Sequence, residues 1–288
     1  MDEKEPALYN DFLFSISDSA FRMGISDSTL RKYEKQGVIA PSRSENSKYR
    51  YFNSYEYARV ASCLEYKQYG MSINEAVELM NMTDIDAIAE KLHQQQIKIE
   101  ARQEWSHDVL DALIQLQKDI LDCRYNRSQC RIETFQPWIY ISPDWYMEKK
   151  QDETLKQVVH KISELIPISR VCSHGVWENN NISMTDAGKV ITKQMAEKWA
   201  FDPYGRGRII DAKYCVTASM SLCFKDLNKL KKEILKTLHY MKSYAEDRGF
   251  HCLSRDIYMI TILKTGEREH FITYRKLYML LGKSEKEA

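Results

Sequence analysis

Glycine and proline are scarce in this chain, at 10 and 6 of 288 residues. Both interrupt regular structure, so their scarcity favours long helices and strands over a loop-rich fold. No apolar run reaches the roughly 18 residues that a membrane span needs. The acidic start MDEKEPALYN also lacks the basic and then apolar pattern of a signal peptide. A cytoplasmic protein with no membrane partner is expected. The seven cysteines (Cys63, Cys123, Cys130, Cys172, Cys215, Cys223 and Cys252) are odd in number and scattered, with no Cys-x-x-Cys pair. This argues against a disulfide framework and against a cysteine-rich zinc site, and no cofactor is implied. Neither sign of charge dominates, since 42 Lys and Arg face 41 Asp and Glu. Any surface for a polyanion must therefore be local.

Set against these absences are 18 Tyr and 5 Trp in a chain that is 43% hydrophobic, long enough for one to three domains. Residues 15–36 read as two short helices around the turn Gly24-Ile25-Ser26, closed by Gly37, the spacing of a helix-turn-helix. The stretch VIAPSRSENSKYRYF reads as a small hairpin, or wing. Asn53 with Glu56, and Ser72 with Glu75, have the spacing of two capping boxes and predict further helix starts. Between Arg22 and Arg59, eight basic side chains face four acidic ones, so the neutral chain hides a basic segment. Arginines and lysines there can reach phosphates, while Ser28 and Thr29 can reach base edges.

From Thr83 the apolar period becomes a heptad. Ile85, Ile88, Leu92, Ile99, Val109, Leu113, Leu116 and Ile120 form a seam, with Gln95, Arg102 and Ser106 as polar interruptions. A two-stranded coiled coil, and so a homodimer, is expected. A polar joint at 122–130 follows, then an α+β half at 131–282 and a disordered tail at 283–288. That half reads as two strand-helix-strand units, with a helix over 186–200 between them.

The segments ISDSAFRMGISDSTLRKYEKQGVI and SENSKYRYF, the two helix starts and the long heptad helix together resemble the MerR transcription factors over residues 13–121. The fold expected is an α+β chain: a winged helix-turn-helix at 1–82, a dimerising helix at 83–121 and the C-terminal half. The resemblance implies DNA contacts from Ser28, Thr29, Arg31 and Tyr33 on the recognition helix and from Tyr49 and Arg50 in the wing. Lys32, Arg43 and Lys48 add basic character. Lys32 stands where Tyr is usual and Ser19 where an apolar residue is usual. The resemblance further implies a homodimer that distorts the spacer of a promoter in response to an effector, with promoter DNA and RNA polymerase as partners.

DAKYCVTASM and RDIYMITIL resemble the GyrI-like drug-sensing domains, which implies binding of small aromatic or amphipathic compounds, multiple drugs among them. In those domains an acidic residue usually follows the Asp-Ile-Tyr tripeptide, where this chain has Met259. Strand 214–224 alternates. Cys215, Thr217, Ser219, Ser221 and Cys223 share a small-residue face that suits the floor of a cavity, or equally a solvated surface. Tyr214 leads the opposite face. Candidate walls are Trp138, Tyr140, Trp145, Tyr146, Trp177, Tyr258 and Tyr274. Two other readings stay open: a thiol-based metal or redox sensor using Cys123 and Cys130, and a hydrolase built on Cys172-Ser173-His174-Gly175, though no acid is obviously placed to orient His174.

Overall fold

A computed structural model describes residues 14–43, 50–125, 129–142, 152–223, 227–266 and 272–283. The chain divides into two units, Met1–Ser106 and His107–Ala288. In the first, α1 (Ile16–Met23) ends at Gly24, whose φ of 66° is the left-handed conformation that glycine adopts without strain. Two residues on, Ser26 caps α2 (Asp27–Lys35) by accepting from the Thr29 amide. The wing is β1 (Ser42–Arg43) paired antiparallel with β2 (Arg50–Tyr51). Both capping boxes form as the spacing predicts, at the starts of α3 (Ser54–Gln68) and α4 (Ile73–Asn81). Leu30, Tyr33, Val38, Phe52, Val60, Cys63 and Ala76 make the core, and Ser19 is buried beside them.

The long helix α5 (Ile85–Tyr125) runs four residues past the expected boundary at 121, into the stretch expected to be a joint. Packing accounts for the extension. Cys123 is buried, and Asp122 accepts both Arg131 guanidinium nitrogens at 2.9 and 3.0 Å.

The second unit holds one eight-stranded sheet ordered β3-β8-β10-β9-β5-β6-β4-β7. Its strands are β3 (Cys130–Thr134), β4 (Trp138–Ile141), β5 (Arg170–Glu178), β6 (Asn181–Thr192), β7 (Arg208–Ile210), β8 (Tyr214–Cys223), β9 (Phe250–Thr265) and β10 (Ile272–Lys283). The helices are α6 (Glu153–Glu164), α7 (Lys193–Lys198) and α8 (Leu227–Glu246). The expected duplication is visible in this order. β4-α6-β5-β6 stacks as β4-β6-β5, β8-α8-β9-β10 stacks as β8-β10-β9, and the halves meet where β5 pairs with β9.

The helix expected over 186–200 is instead the second half of β6 followed by the six-residue α7. Asn179 and Asn180, with φ of 48° and 60°, make the tight turn that folds β6 back on β5. Gly188 then lets β6 approach β4 so closely that a Cβ would lie 2.0 Å from the Ile141 carbonyl oxygen. One sheet face is covered in two patches. Val216, Ala218, Ile257, Met259, Leu277 and Met279 pack with Ile234, Leu238 and Met241 of α8, and Ile139, Ile141 and Ile191 pack with Val158 and Ile162 of α6. The opposite face carries Trp138, Tyr140, Cys172, Val190, Cys215, Tyr258 and Leu280. The expected tail lies outside the described residues.

Candidate functional site

The apolar period of α2 decides which of its residues a ligand can reach. Leu30 and Tyr33 point into the core, leaving Ser28, Arg31, Lys32 and Lys35 exposed and Thr29 partly so. Tyr33, expected at the DNA, is 1% exposed. It lies three residues after Leu30 and so shares the buried face. Ser28 and Thr29 also serve the helix start, their hydroxyls lying 2.8 and 2.9 Å from the Ser26 hydroxyl.

Glu34 ties this helix to the wing, accepting from Arg50 at 2.7 Å and Arg43 at 3.0 Å. Burial raises the Glu34 pKa, but hydrogen bonds and charge from Arg50 and then Arg43 outweigh it and hold the carboxyl below its ordinary range. Arg43 keeps 61% of its side chain exposed, which suits a phosphate contact, against 30% for Arg50. Lys48 and Tyr49 lie outside the described residues. Arg59 faces inward, donating to the Val38 carbonyl at 2.6 Å and to Asn81 at 3.0 Å.

Along α5 the heptad residues divide. In the first unit Ile85, Leu92 and Ile99 are exposed and Ile88 is half-buried. Gln95, expected as a polar layer of the seam, instead turns onto its own unit and donates to the Tyr69 carbonyl at 2.6 Å. In the second unit Leu113 is exposed, as are Leu110, Ile114 and Leu121, which heptad spacing missed. Val109, Leu116 and Ile120 are half-buried. A straight α-helix drifts about 20° per heptad, so a strict seven-residue template leaves the exposed stripe after a few turns.

The expected ligand residues fall on two sheet faces. Trp138, Tyr140, Tyr258 and Cys215 pack together, and strand register puts Thr217, Ser219 and Tyr274 on the same face. Trp177, Tyr214 and Met259 lie on the opposite face with α8, Met259 being 1% exposed. The period of two places Met259 opposite Tyr258, so it cannot stand in for an acid beside the rings. Trp145 and Tyr146 lie outside the described residues. The rings that do meet fill their own space. Trp138 stands edge-on to Tyr278 at 4.8 Å and to Tyr258 at 6.3 Å between centroids. Over Thr217 and Ser219, Glu133 receives Lys276 at 3.3 Å and leaves a cleft of about 10 Å³, room for one water.

At the junction of the halves lies a polar network that sequence reading missed. His174 Nε2 is 2.7 Å from Asp256 Oδ1, and its Nδ1 is 3.2 Å from Asp186 Oδ2. Tyr258 stacks on the imidazole with centroids 5.1 Å apart, and the Tyr140 hydroxyl donates to Asp186. A register shift at His174/Gly175 is the local cause, because it turns both Thr185 and Asp186 toward the ring. Arg208 completes the network 3.4 Å from Asp256. Burial raises the Asp256 pKa, but hydrogen bonds from His174 and Ser254, and then the Arg208 charge, leave it below its ordinary range. Burial, and then Asp186, push the Tyr140 phenol far up, so it stays a donor. Both carboxylates are already hydrogen-bonded, Asp256 to His174 and Arg208 and Asp186 to His174, Tyr140 and Thr185.

The neighbouring thiols are not activated. Burial pushes Cys172 and Cys215 up to about 12 and Cys130 to about 11. Ser173 points to the other face, where Arg275 donates to it at 3.1 Å. Among the described residues no group of three or more His, Cys, Asp or Glu is placed to hold a metal ion, and no helix is long and apolar enough to cross a membrane.

Several solved structures are similar to this chain, three of them as follows. A MerR-family transcriptional regulator from Bacillus cereus is 22% identical at a TM-score of 0.34, over 37% of this chain and 81% of its own. The N-terminus of MtaN, a multidrug transporter activator of Bacillus subtilis, is 23% identical at 0.31, over 38% and 97%. EcmrR, solved with DNA in an open promoter complex, is 14% identical at 0.38, over 94% and 100%. No curated protein matches the chain significantly. Residues 14–83, which include α1 to α4, match the family model described as MerR HTH family regulatory protein, which makes this segment a MerR-type helix-turn-helix domain.

Proposed function

We propose that this chain is an effector-responsive transcription regulator that binds promoter DNA as a homodimer. One observation carries the reading: a MerR-type helix-turn-helix whose α2 buries Leu30 and Tyr33 and presents Ser28, Arg31, Lys32 and Lys35 outward. Arg31 and Lys32 reach base edges and phosphates in the major groove, while Arg43 and Arg50 hold the wing on the backbone. The exposed residues Leu92 and Ile99 of the first unit, and Leu110, Leu113 and Ile114 of the second, pack against a second copy.

The second unit is read as a GyrI-like sensor whose aromatic sheet face takes a small aromatic or amphipathic compound. An effector that binds the DNA-distorting state more tightly shifts a pre-bound complex toward it. The promoter elements then turn into register for RNA polymerase. Because Asp256 is already engaged by Arg208 and His174, and Asp186 by His174 and Tyr140, the effector need not be a cation. A thiolate sensor is disfavoured by the burial that keeps the Cys130 thiol protonated.

Footprinting on the promoter of the chain's own gene at moderate salt tests this reading. Protection of a palindromic spacer is expected, with cleavage changing at its centre when an effector is added. An unprotected promoter would overturn it.

A further inference from the structure

β9 pairs with β5 only as far as Val176 opposite Asp256, and beyond that point the two strands part. The β5–β6 hairpin tip and the first residues of β9 diverge around a cleft of about 440 Å³, with the last turns of α8 on its third side. It opens on the α8 face of the sheet, away from the aromatic face assigned above to the effector. Trp177 lines it, held edge-on to His239 at 5.0 Å. The His239 Nδ1–H donates to the Leu235 carbonyl at 2.7 Å, which fixes the ring and leaves Nε2 for another partner. Lys242 and Arg255 bring positive charge to the rim; Glu178, the one acid in the lining, pairs with Arg255, and Glu246 outside the lining lies 3.7 Å from Lys242, whose side chain stays 49% exposed. Arg255 stays 68% exposed, so part of its fork of donors still faces water.

An indole wall, two partly exposed cationic side chains and no unpaired carboxylate in the lining select a flat, negatively charged molecule. The structure assigns this fork, we infer, as a second small-molecule site, one that takes planar aromatic carboxylates. The ring lies along Trp177 and the carboxylate meets Lys242 and Arg255. The size agrees, since pockets for small molecules begin at about 300 Å³.

Calorimetric titration of the full chain with 1-naphthoate, and with 1-naphthylmethylamine as the cation of the same ring, tests the assignment. Naphthoate should bind and the amine should not. Lys242→Ala and Arg255→Ala should each weaken naphthoate by about tenfold, the loss of one charge-assisted bond. Glu178→Gln should strengthen it by freeing Arg255. Trp177→Phe keeps the packing but should remove the fluorescence quenching that naphthoate causes. Arg208→Ala, on the opposite sheet face, should leave naphthoate unchanged. Equal or tighter binding of the amine, no measurable naphthoate binding, or naphthoate binding lost in Arg208→Ala but kept in the Lys242 and Arg255 variants would overturn the assignment.

Discussion

His174 and Asp256, 82 positions apart in the chain, meet at 2.7 Å across the strand pair that joins the two halves of the sheet. Removing the carboxylate leaves Asp186 as the one carboxylate hydrogen-bonded to the buried imidazole. Asp256→Asn should therefore destabilise the second unit by about 1–3 kcal/mol at neutral pH. The acid dependence follows from the depressed Asp256 pKa. Such a group stabilises the fold above its unfolded value near 3.8, and the contribution is lost as pH falls through the lower folded value. Urea titrations between pH 6 and pH 3 should show the wild type losing stability below about pH 4 more steeply than Asp256→Asn. Parallel curves would show that the pair is not coupled to folding.

Met259→Glu, which would add a cation-binding acid if this position faced the effector, should instead unfold the unit. The side chain is 1% exposed, packed beneath α8 among apolar neighbours. A loss of about 3 kcal/mol or more is expected, read as a fall in Tm or as insoluble protein. A stable variant with raised affinity for cationic dyes would reverse the strand register given above.

Arg43→Ala should weaken binding to every DNA sequence alike and reduce the salt slope by about one counterion, since its exposed guanidinium suits a phosphate. Lys32→Tyr, by contrast, should change the order of preference among operator variants. Both are measured by fluorescence anisotropy at several salt concentrations. An Arg43→Ala effect confined to one sequence would make that residue a base reader.

If the proposed dimer forms through α5, Leu113→Glu combined with Ile99→Glu should convert it to monomer in sedimentation equilibrium and abolish operator binding, since both side chains are exposed there. The double variant should keep its helical circular dichroism, because neither residue belongs to a described core. A dimer that survives both charges would place the interface elsewhere.

Cys130 and Cys172 should resist alkylation by iodoacetamide at pH 8 in native protein and react fully in urea, as buried thiols held near 11 and 12 do. Mass spectrometry after a timed quench reads the difference. Rapid native labelling of Cys130 would restore a thiol-sensing role.

What could be read from the sequence was local. The capping residues Asn53 and Ser72, the turn at Gly24 and the alternation of β8 each depend on neighbours within a few positions, and each appears as the pattern implies. Partners of His174 were beyond reach because they arrive from strands 12 and 82 residues away, one of them through a register shift that spacing does not encode. Tyr33 misled for a different reason: a motif shows which residues recur, not which side of the helix they occupy. The stretch 186–192 misled as well, since its charges permit a helix and only pairing with β5 and β4 makes it a strand.

One detail of α5 bears on how an effector signal would leave the sheet. Asp108 accepts from Lys198 and from the Trp199 indole at 2.8 Å each, and Asp119 lies 3.5 Å from Arg170. These anchors stand eleven residues apart, about 16 Å along the helix axis. One anchor would act as a pivot, whereas two fix both the position and the azimuth of the helix. This end of α5 cannot slip by a turn or swivel unless both anchors break, so it is splinted to the strand and the helix that carry Arg170 and Lys198. Small displacements of those elements reach the helix as motion of one stiff body, without loss in a flexible joint.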